Sequence, residues 1–263
     1  MTVRIQKPTL NIREKLAELE RPIGINGQAL MATDTPQQAF DLLGAGRKNL
    51  LINPLFEVSQ RGNYQVDAGG AALAIAAGAR TFSVDRWSGY SGGSTTSMST
   101  QFVTLPTGEK VRSLKIIATS SSGSNTWLHP MQSWEPQTWM EGQLFTLSCW
   151  VKTNRPGQRL RLCDTITCWE IGDVVPNDGN WYFMKATQQV GTSLNYSGGG
   201  QFQPAFTTGS MDTGHYVEFA KPQMEIGKVA TPFEYRSYGQ ELALCQRYFY
   251  RLGSSGGRFN LMG

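Results

Sequence analysis

The stretch FTLSCWVKTNRPGQRL (Phe145–Leu160) decides the fold more than any other part of the 263-residue chain. Successive side chains of a β-strand point to opposite faces, so Phe145, Leu147, Cys149 and Val151 lie on one face. The NRPGQ cluster that follows is rich in residues typical of turns. The stretch therefore predicts a strand with one apolar face that ends in a tight connection.

A second stretch, GNWYFMKATQQV (Gly179–Val190), repeats this pattern. Alternation sets Trp181 and Phe183 on one face and Tyr182 and Met184 on the other. Two such strands facing each other bury a large aromatic area, about 150–250 Å² for each ring. We expect both strands to contribute to the core of a β-sandwich.

Short strand-like runs separated by turn clusters recur from residue 49 onward. We expect strands at Leu50–Val58, Ser83–Tyr90, Ser97–Leu105, Arg112–Ala118, Gln143–Lys152, Arg159–Cys163, Tyr182–Gln189, Tyr216–Met224 and Phe233–Tyr238. Clusters such as PTGEK, SSSGSN, VPNDGN and SGGG separate these runs. Many short strands with turn signals between them predict an all-β sandwich.

Three shorter segments have patterns of their own. AALAIAA (Ala71–Ala77) fits either a short helical turn or a buried strand. QMEIGKVATPFEY (Gln223–Tyr235) predicts a core strand, a glycine turn and then an edge strand marked by proline. GQELALCQRYFYR (Gly239–Arg251) predicts a helix or a helix-to-strand crossing.

The first 48 residues differ in composition and pattern from the rest of the chain. Thr9–Glu20 and Pro36–Leu43 each predict a short helix with an apolar side. A twelve-residue helix is too short to be stable alone in water, and the region holds too little apolar material for its own core. We therefore predict an extended arm that docks on a neighbour or on copies of the chain. The apolar positions expected to anchor it are Ile12, Leu16, Leu19, Phe40 and Leu43.

Composition and charge exclude several classes of protein. The chain has 24 Lys+Arg and 20 Asp+Glu, a net charge of +4. The basic residues are scattered rather than clustered, so we expect no nucleic-acid partner. We expect no membrane insertion, because no run of about 18 apolar residues exists and the N-terminus turns charged where a signal peptide needs an apolar segment.

The chain has four cysteines, which are Cys149, Cys163, Cys168 and Cys245. The spacing of Cys163 and Cys168 could suit a metal clip, but no second pair completes a tetrahedral site, and His129 and His215 are isolated. We expect buried, reduced cysteines, no metal site, no cofactor and folding in a reducing cytoplasm.

No catalytic constellation stands out in the sequence. With only two histidines, both isolated in the sequence, a Ser-His-Asp triad is not indicated. The spacing of the acidic residues singles out no pair for glycoside cleavage. The glycine runs SGGG and SGGS lack the Lys-Ser/Thr of a phosphate-binding loop. We therefore predict no catalytic residues and a chain that is not an enzyme.

Three tryptophans, Trp127, Trp134 and Trp139, lie within NTWLHPMQSWEPQTWME. Aromatic faces interleaved with a few polar groups are typical of pockets that bind small molecules, so these residues are candidates for a glycan contact. The alternative is that they plug the end of the sandwich or an oligomer interface, where tryptophan is enriched.

Two smaller groups have similar alternatives. Asp212, His215 and Glu218 could ligate calcium or a sugar, but an ordinary loop followed by a strand also explains them. The aromatic run Tyr248–Tyr250 suits a contact between proteins better than a substrate pocket.

Several of these stretches resemble known proteins. NLLINPLFEVSQRGN (Asn49–Asn63), followed by DRW (Asp85–Trp87), resembles the opening of jelly-roll domains in phage tail and virion structural proteins. Phe145–Leu160 with Gly179–Val190 resembles the paired inner strands of carbohydrate-binding-module sandwiches. Phe219–Arg251 is similar to the closing strand and exit segment of the same phage proteins. The segment from residue 11 to residue 49 also resembles arms that attach such proteins to the virion.

The resemblance implies a mainly β chain, a jelly-roll β-sandwich preceded by an arm with short helices. The implied domains are 1–48 (virion attachment and oligomerisation), 49–238 (jelly roll) and 239–263 (exit segment). The implied function is that of a non-enzymatic tail fibre or tail-associated subunit, assembled in the host cytoplasm and carried on the virion. Its implied partners are sister chains in a homotrimer, phage tail or capsid proteins, and host surface glycan. The alternatives are a capsid head fibre or decoration protein, a lectin-like module that binds host glycan and, last, a cell-wall-degrading enzyme.

Overall fold

The computed structural model describes residues 48–123, 128–135, 138–164, 167–192, 200–207 and 209–250. The chain divides into two compact units, 1–47 and 48–263, and every described residue belongs to the second unit. That unit is a jelly-roll β-sandwich of two antiparallel sheets, which confirms the predicted fold class. The anchor positions Ile12, Leu16, Leu19, Phe40 and Leu43 lie outside the described residues, and the predicted domain boundaries stay predictions.

Twelve strands make up the two sheets of the described part. In chain order they are β1 (Leu73–Ile75), β2 (Arg80–Phe82), β3 (Ser88–Ser91), β4 (Thr96–Thr104), β5 (Lys110–Ala118), β6 (Leu128–Trp134), β7 (Leu144–Thr153), β8 (Arg159–Cys163), β9 (Cys168–Ile171), β10 (Tyr182–Gln189), β11 (Gly200–Phe206) and β12 (Tyr216–Ile226). The first sheet has the order β1-β4-β5-β12-β7-β10, and the second has the order β2-β3-β6-β11-β8-β9. Short 3-10 helices span Val66–Ala68 and Thr138–Met140, and one α-helix, α1, spans Tyr238–Gln246. No helix in the described ranges is long and apolar enough to cross a membrane.

The core between the sheets is centred on four aromatic side chains. Phe56 packs against Trp87 and Phe219 with ring centroids 5.4 and 5.2 Å apart, and Trp87 also packs against Phe202 at 6.4 Å. The Trp87 indole nitrogen donates to the Asn53 carbonyl at 2.9 Å. Because Phe56 and Trp87 come from irregular segments and the other two rings come from facing sheets, the loops complete the core that the strands begin.

Most of the predicted strands are confirmed. β8 and β10 begin and end at the predicted residues, and β4, β5, β7 and β12 differ from the prediction by two residues or fewer at each end. In β7, Phe145, Leu147, Cys149 and Val151 are fully buried in the core, as alternation predicted. β7 and β10 are hydrogen-bonded neighbours in one sheet, however, rather than strands that face each other. Ala71–Ala77 contains the strand β1, so the strand alternative was correct there.

Two predicted strands are wrong. Leu50–Val58 is buried but irregular, because Asn53 and Phe56 both have a φ of 56°, which a strand does not accommodate. Phe233–Tyr238 is also not a strand: it is irregular as far as Ser237, and Tyr238 begins helix α1. There the Glu234 amide donates to the Gln223 side chain at 2.8 Å. Four strands, β2, β6, β9 and β11, were not predicted.

The entry and exit segments of the sandwich meet at one place. The Asn53 amide donates to the Glu241 carboxylate at 2.7 Å, and Arg236 donates to the carbonyls of Asn49 and Leu51 at 2.9 and 2.8 Å. Helix α1, which carries Glu241, begins with a capping box between the side chain and backbone of Ser237 and those of Gln240. Cys245 near its end packs against Ile52 and Val58. The helix alternative for Gly239–Arg251 is confirmed over Tyr238–Gln246, and the first and last resembling motifs form one structural unit.

The cysteine prediction needs a correction. Cys163 and Cys168 lie opposite each other in the β8–β9 pair and form a disulfide, so they are neither reduced nor a metal clip. The prediction holds for Cys149 and Cys245, which are buried free thiols. Burial raises the pKa of the Cys245 thiol to about 12, with the Asp85 and Glu241 carboxylates acting in the same direction.

Candidate functional site

The structure separates two of the tryptophans that were predicted as a glycan contact. Trp134 is 3% exposed and packs on Phe145 at 5.4 Å, and its indole nitrogen donates to the Cys163 carbonyl at 3.1 Å. It is therefore a core residue that a sugar ring cannot reach, which agrees with the alternative that it plugs the sandwich. Trp139 is 53% exposed. Trp127 lies outside the described residues.

The group Asp212, His215 and Glu218 does not converge on a metal position. Asp212 and His215 lie in one turn, with Nε2 of His215 at 3.7 Å from Oδ2 of Asp212. Glu218 is 1% exposed and accepts hydrogen bonds from Ser113 at 2.6 Å and Gln101 at 2.8 Å. The described ranges contain no cluster of three or more His, Cys, Asp or Glu side chains that could hold a metal ion. The explanation as a loop followed by a strand accounts for these three residues.

A concentration of arginine and aromatic side chains lies instead on the outer face of the second sheet. We call it the arginine-aromatic face and define it by Arg80, Tyr90, His129, Arg161, Gln203 and Phe206. Strand register places these residues together: Arg80 pairs with Tyr90, Tyr90 with His129, and Arg161 with Gln203. Their strand neighbours Leu128, Leu162 and Phe202 belong to the core, so alternation directs His129, Arg161 and Gln203 away from it. Phe206 lies beyond a register shift in β11 and contacts His129 and Arg161.

His129 lies at the centre of the arginine-aromatic face. Its ring is flanked by the rings of Tyr90 and Phe206, with centroids 5.5 and 5.3 Å away. The side chain is only 5% exposed, and its Nδ1 has no hydrogen-bond partner among the described residues. Burial, with added repulsion from Arg161 and Arg80, lowers the pKa of this histidine to about 3. The imidazole is therefore neutral at physiological pH and keeps one unused polar atom.

The two guanidinium groups of the face make hydrogen bonds only to uncharged partners in the described part. Arg80 donates from Nε to the Ser88 hydroxyl at 2.9 Å and from Nη2 to the Ser133 hydroxyl at 3.1 Å. Arg161 stacks over Phe206 at 3.7 Å and reaches the Gln203 side-chain oxygen at 3.4 Å. Neither guanidinium makes an ion pair within 4.0 Å with a carboxylate of the described residues.

Burial disfavours the charged forms of the two guanidinium groups on this face. It lowers the pKa of both Arg80 and Arg161, and the neighbouring Arg86 lowers that of Arg80 further. Glu170, which pairs with Arg161 across the β8–β9 hairpin, partly opposes this effect on Arg161, but its side chain is exposed. A charge that is partly removed from water and lacks a counter-charge favours an anionic ligand.

On the first sheet, one cation is paired within the chain. Lys221 forms an ion pair with Glu109 at 2.7 Å and also donates to the Tyr235 hydroxyl at 2.7 Å. The exposed aromatic ring of Phe183, 48% exposed, packs on Trp150 at 5.4 Å. Arg112 of the same sheet, by contrast, stacks on Phe102 at 4.5 Å and forms no ion pair within 4.0 Å with the described residues.

Sequence reasoning missed the arginine-aromatic face. One signal was present: in the run RLRLC, Arg159 and Arg161 alternate with Leu160 and Leu162, which places two cations on one face of a strand. The partners of this strand could not be identified, because β6 and β11 were not predicted as strands. In the sequence, His129 is an isolated histidine with no second metal-ligating residue nearby.

Comparison with known proteins does not assign a family. No family model matches the chain, and no curated protein matches it. Among solved structures, the chain is similar to the CBM22-1 xylan-binding domain of Xyn10C from Paenibacillus barcinonensis. The identity is 12%, the TM-score is 0.39, and the match covers 70% of this chain and 99% of that one.

Two phage structures are similar as well. The tripod from the baseplate of bacteriophage Tuc2009 is 16% identical with a TM-score of 0.36, over 72% of this chain and 58% of that one. The enzymatically active domain of tailspike protein 4 from bacteriophage CBA120 is 12% identical with a TM-score of 0.38. That match covers 54% of this chain and only 19% of the tailspike chain. The solved structures that resemble this chain thus include phage tail proteins and a carbohydrate-binding module. At these identities and TM-scores, the three likenesses do not bear on what this chain binds or does.

Proposed function

We propose that the chain is a non-enzymatic structural protein of a bacteriophage virion, a tail fibre or tail-associated subunit whose jelly roll binds saccharide on the host surface. The observation that carries the binding role is the arginine-aromatic face, where a buried imidazole and two guanidinium groups lie among aromatic rings without a carboxylate partner in the described part. Surfaces that bind small polar molecules combine apolar rings with a few polar groups that fix orientation. The virion role is supported by the resembling motifs at Asn49–Asn63 and Phe219–Arg251, which pack together at the entry and exit of the sandwich.

The proposed attachment assigns separate tasks to the parts of the chain. Residues 1–48 dock on the tail and on sister chains of a homotrimer, since their short apolar stripes need a partner. The jelly roll at 49–238 faces the host, and residues 239–263 lead on from it. Binding without catalysis is sufficient for this role, because a virion that recognises a host surface needs only to stay attached to it.

A saccharide array tests the binding role. The full chain is applied to purified bacterial surface polysaccharides, together with Tyr90→Ala on the arginine-aromatic face and Phe183→Ala on the outer face of the first sheet as the matched control. Removing a stacking ring is expected to weaken binding at least about tenfold for Tyr90→Ala and to leave Phe183→Ala at the wild-type level. A wild-type chain that binds no saccharide, or equal losses in both variants, would overturn the proposal.

Incorporation into particles tests the arm. In the full chain, Leu16→Asp and Leu19→Asp should remove the apolar stripe and prevent incorporation, whereas Glu18→Gln on the opposite side of the predicted helix should not. Normal incorporation of the two aspartate variants would contradict the assignment of residues 1–48. Release of sugar from purified host envelope by the purified chain would contradict the non-enzymatic role.

A further inference from the structure

The charges of the arginine-aromatic face indicate what kind of saccharide it takes, provided that the proposed saccharide-binding function is correct. Arg80 on β2 and Arg161 on β8 both act on the centrally placed His129, since each lowers its pKa through its positive charge. In the order of the second sheet, β6 with His129 lies between β2 with Arg80 and β8 with Arg161. Glu170 is the residue opposite Arg161 in the β8–β9 register, and its side chain is exposed. The two side chains form no ion pair within 4.0 Å.

The hydrogen bonds of the face leave donors rather than acceptors unused. Arg80 uses Nε and Nη2 on two hydroxyls, and Arg161 uses Nη1 on a long contact of 3.4 Å to Gln203. Gln203 itself donates to Gln201 at 3.0 Å, so its amide is already engaged. The guanidinium is a planar fork of five donors that matches carboxylate, sulfate and phosphate oxygens.

The two guanidinium groups of the face are held in place by neighbouring side chains. Phe206 holds the Arg161 guanidinium by stacking at 3.7 Å, and the two serine hydroxyls hold Arg80. A cation fixed before binding loses less rotamer entropy when it meets an anion. The neutral ring of His129, at 5% exposure, is itself held between the rings of Tyr90 and Phe206.

We infer that the arginine-aromatic face binds an acidic saccharide, with Arg80 and Arg161 pairing with its acid groups. The half-buried Tyr90 lies beside His129 on this face, and Phe206 is covered by Arg161. A neutral saccharide would leave both guanidinium groups without a counter-charge and would bind more weakly.

Isothermal titration of the full chain with matched polymers tests this inference. One acidic polysaccharide is compared with its carboxyl-reduced, neutral form, and sulfated and phosphorylated saccharides are tested in parallel to identify the acid group. Arg161→Ala and Arg161→Lys are compared with Arg112→Ala, in which the lost guanidinium stacks on Phe102 at 4.5 Å in the other sheet. Thermal unfolding confirms that each variant is folded.

We expect the neutral form and Arg161→Ala each to lose about tenfold or more in affinity, and Arg112→Ala to retain it. Arg161→Lys should lose part of the affinity, because a point charge replaces the fork. Wild-type affinity should also fall as salt is added. Equal affinity for acidic and neutral forms, or an unchanged Arg161→Ala, would overturn the inference and leave the saccharide-binding function intact. The absence of binding to every polymer would overturn both.

Discussion

Arg236 Nη1 lies 2.9 Å from Glu241 Oε1, and the two side chains are only 7% and 8% exposed. This ion pair joins the segment after β12 to helix α1. The same two residues also bind the entry segment, Arg236 through the carbonyls of Asn49 and Leu51 and Glu241 through the Asn53 amide. Removing one member leaves the other charged and buried without its partner.

We therefore predict that Arg236→Met lowers the free energy of unfolding by about 3 kcal/mol or more. The control is Arg247→Met, because Arg247 pairs with Glu135 at 3.4 Å with both side chains about half exposed. That change should cost less than about 1 kcal/mol. Denaturant unfolding followed by tryptophan fluorescence measures both variants, and similar losses in the two would contradict a structural role for the buried pair.

The disulfide between Cys163 and Cys168 is expected to stabilise the β8–β9 hairpin. Because it closes a short loop, the double variant Cys163→Ser/Cys168→Ser should lose roughly 2 kcal/mol of unfolding free energy. Thiol counting checks the pairing directly. The native chain should label slowly, the denatured chain should show two reactive thiols, Cys149 and Cys245, and the denatured and reduced chain should show four. Four reactive thiols before reduction would refute the disulfide.

Trp134 and Trp139, the two described tryptophans of the predicted glycan contact, should differ in how much stability is lost when each is replaced by alanine. Trp134→Ala empties a core position and should cost about 3–5 kcal/mol, whereas the exposed Trp139→Ala should cost less than about 1 kcal/mol. Gly200→Ala offers an independent check, because an added Cβ would lie 2.1 Å from the Trp134 ring. This variant should also be destabilised, and less so when Trp134 is replaced by the smaller Leu. Loss of stability in Trp139→Ala but not in Trp134→Ala would reverse the assignment.

The depressed pKa of His129 predicts how stability depends on pH. The folded chain keeps this histidine neutral down to about pH 3, whereas in the unfolded chain it takes up a proton near pH 6.5. The unfolded state therefore binds more protons between these values, so stability falls as the pH falls, by up to about 1.4 kcal/mol per pH unit from this one group.

Comparison with a variant isolates that contribution. His129→Phe should flatten the dependence between about pH 6 and pH 3.5. Difference curves are needed because burial raises the pKa of Asp85, which acts in the opposite direction. Identical curves for wild type and His129→Phe would contradict the burial of an unpaired imidazole between Tyr90, Phe206 and the two arginines.

The sequence predicted those strands whose two faces differ in polarity. β7 alternates between apolar and polar side chains, so Phe145, Leu147, Cys149 and Val151 could be placed in the core from the sequence alone. β6 (Leu128–Trp134) is buried on both faces and contains Pro130, which removes a backbone donor. Its missed assignment also concealed the disulfide, Trp134 and the arginine-aromatic face, because each depends on strands that pair in the second sheet.

The irregular entry segment was missed for a different reason. Leu50–Val58 is apolar enough for a strand, but its backbone is paired with side chains from distant parts of the chain. The Ile52 amide and carbonyl both bond to Gln132 at 2.7 Å, and the Asn53 side chain bonds to Val58 and Asp85. Contacts across some 30 to 80 residues are not visible in local periodicity.

Chemical-shift mapping of the isotope-labelled full chain, titrated with the tightest-binding acidic saccharide, tests the central claim most directly. The account predicts shifts concentrated on the outer positions of β3, β6, β8 and β11, together with the side-chain signals of Arg80 and Arg161. Shifts confined to the first sheet or to the surroundings of Trp139, with the second sheet unchanged, would contradict it.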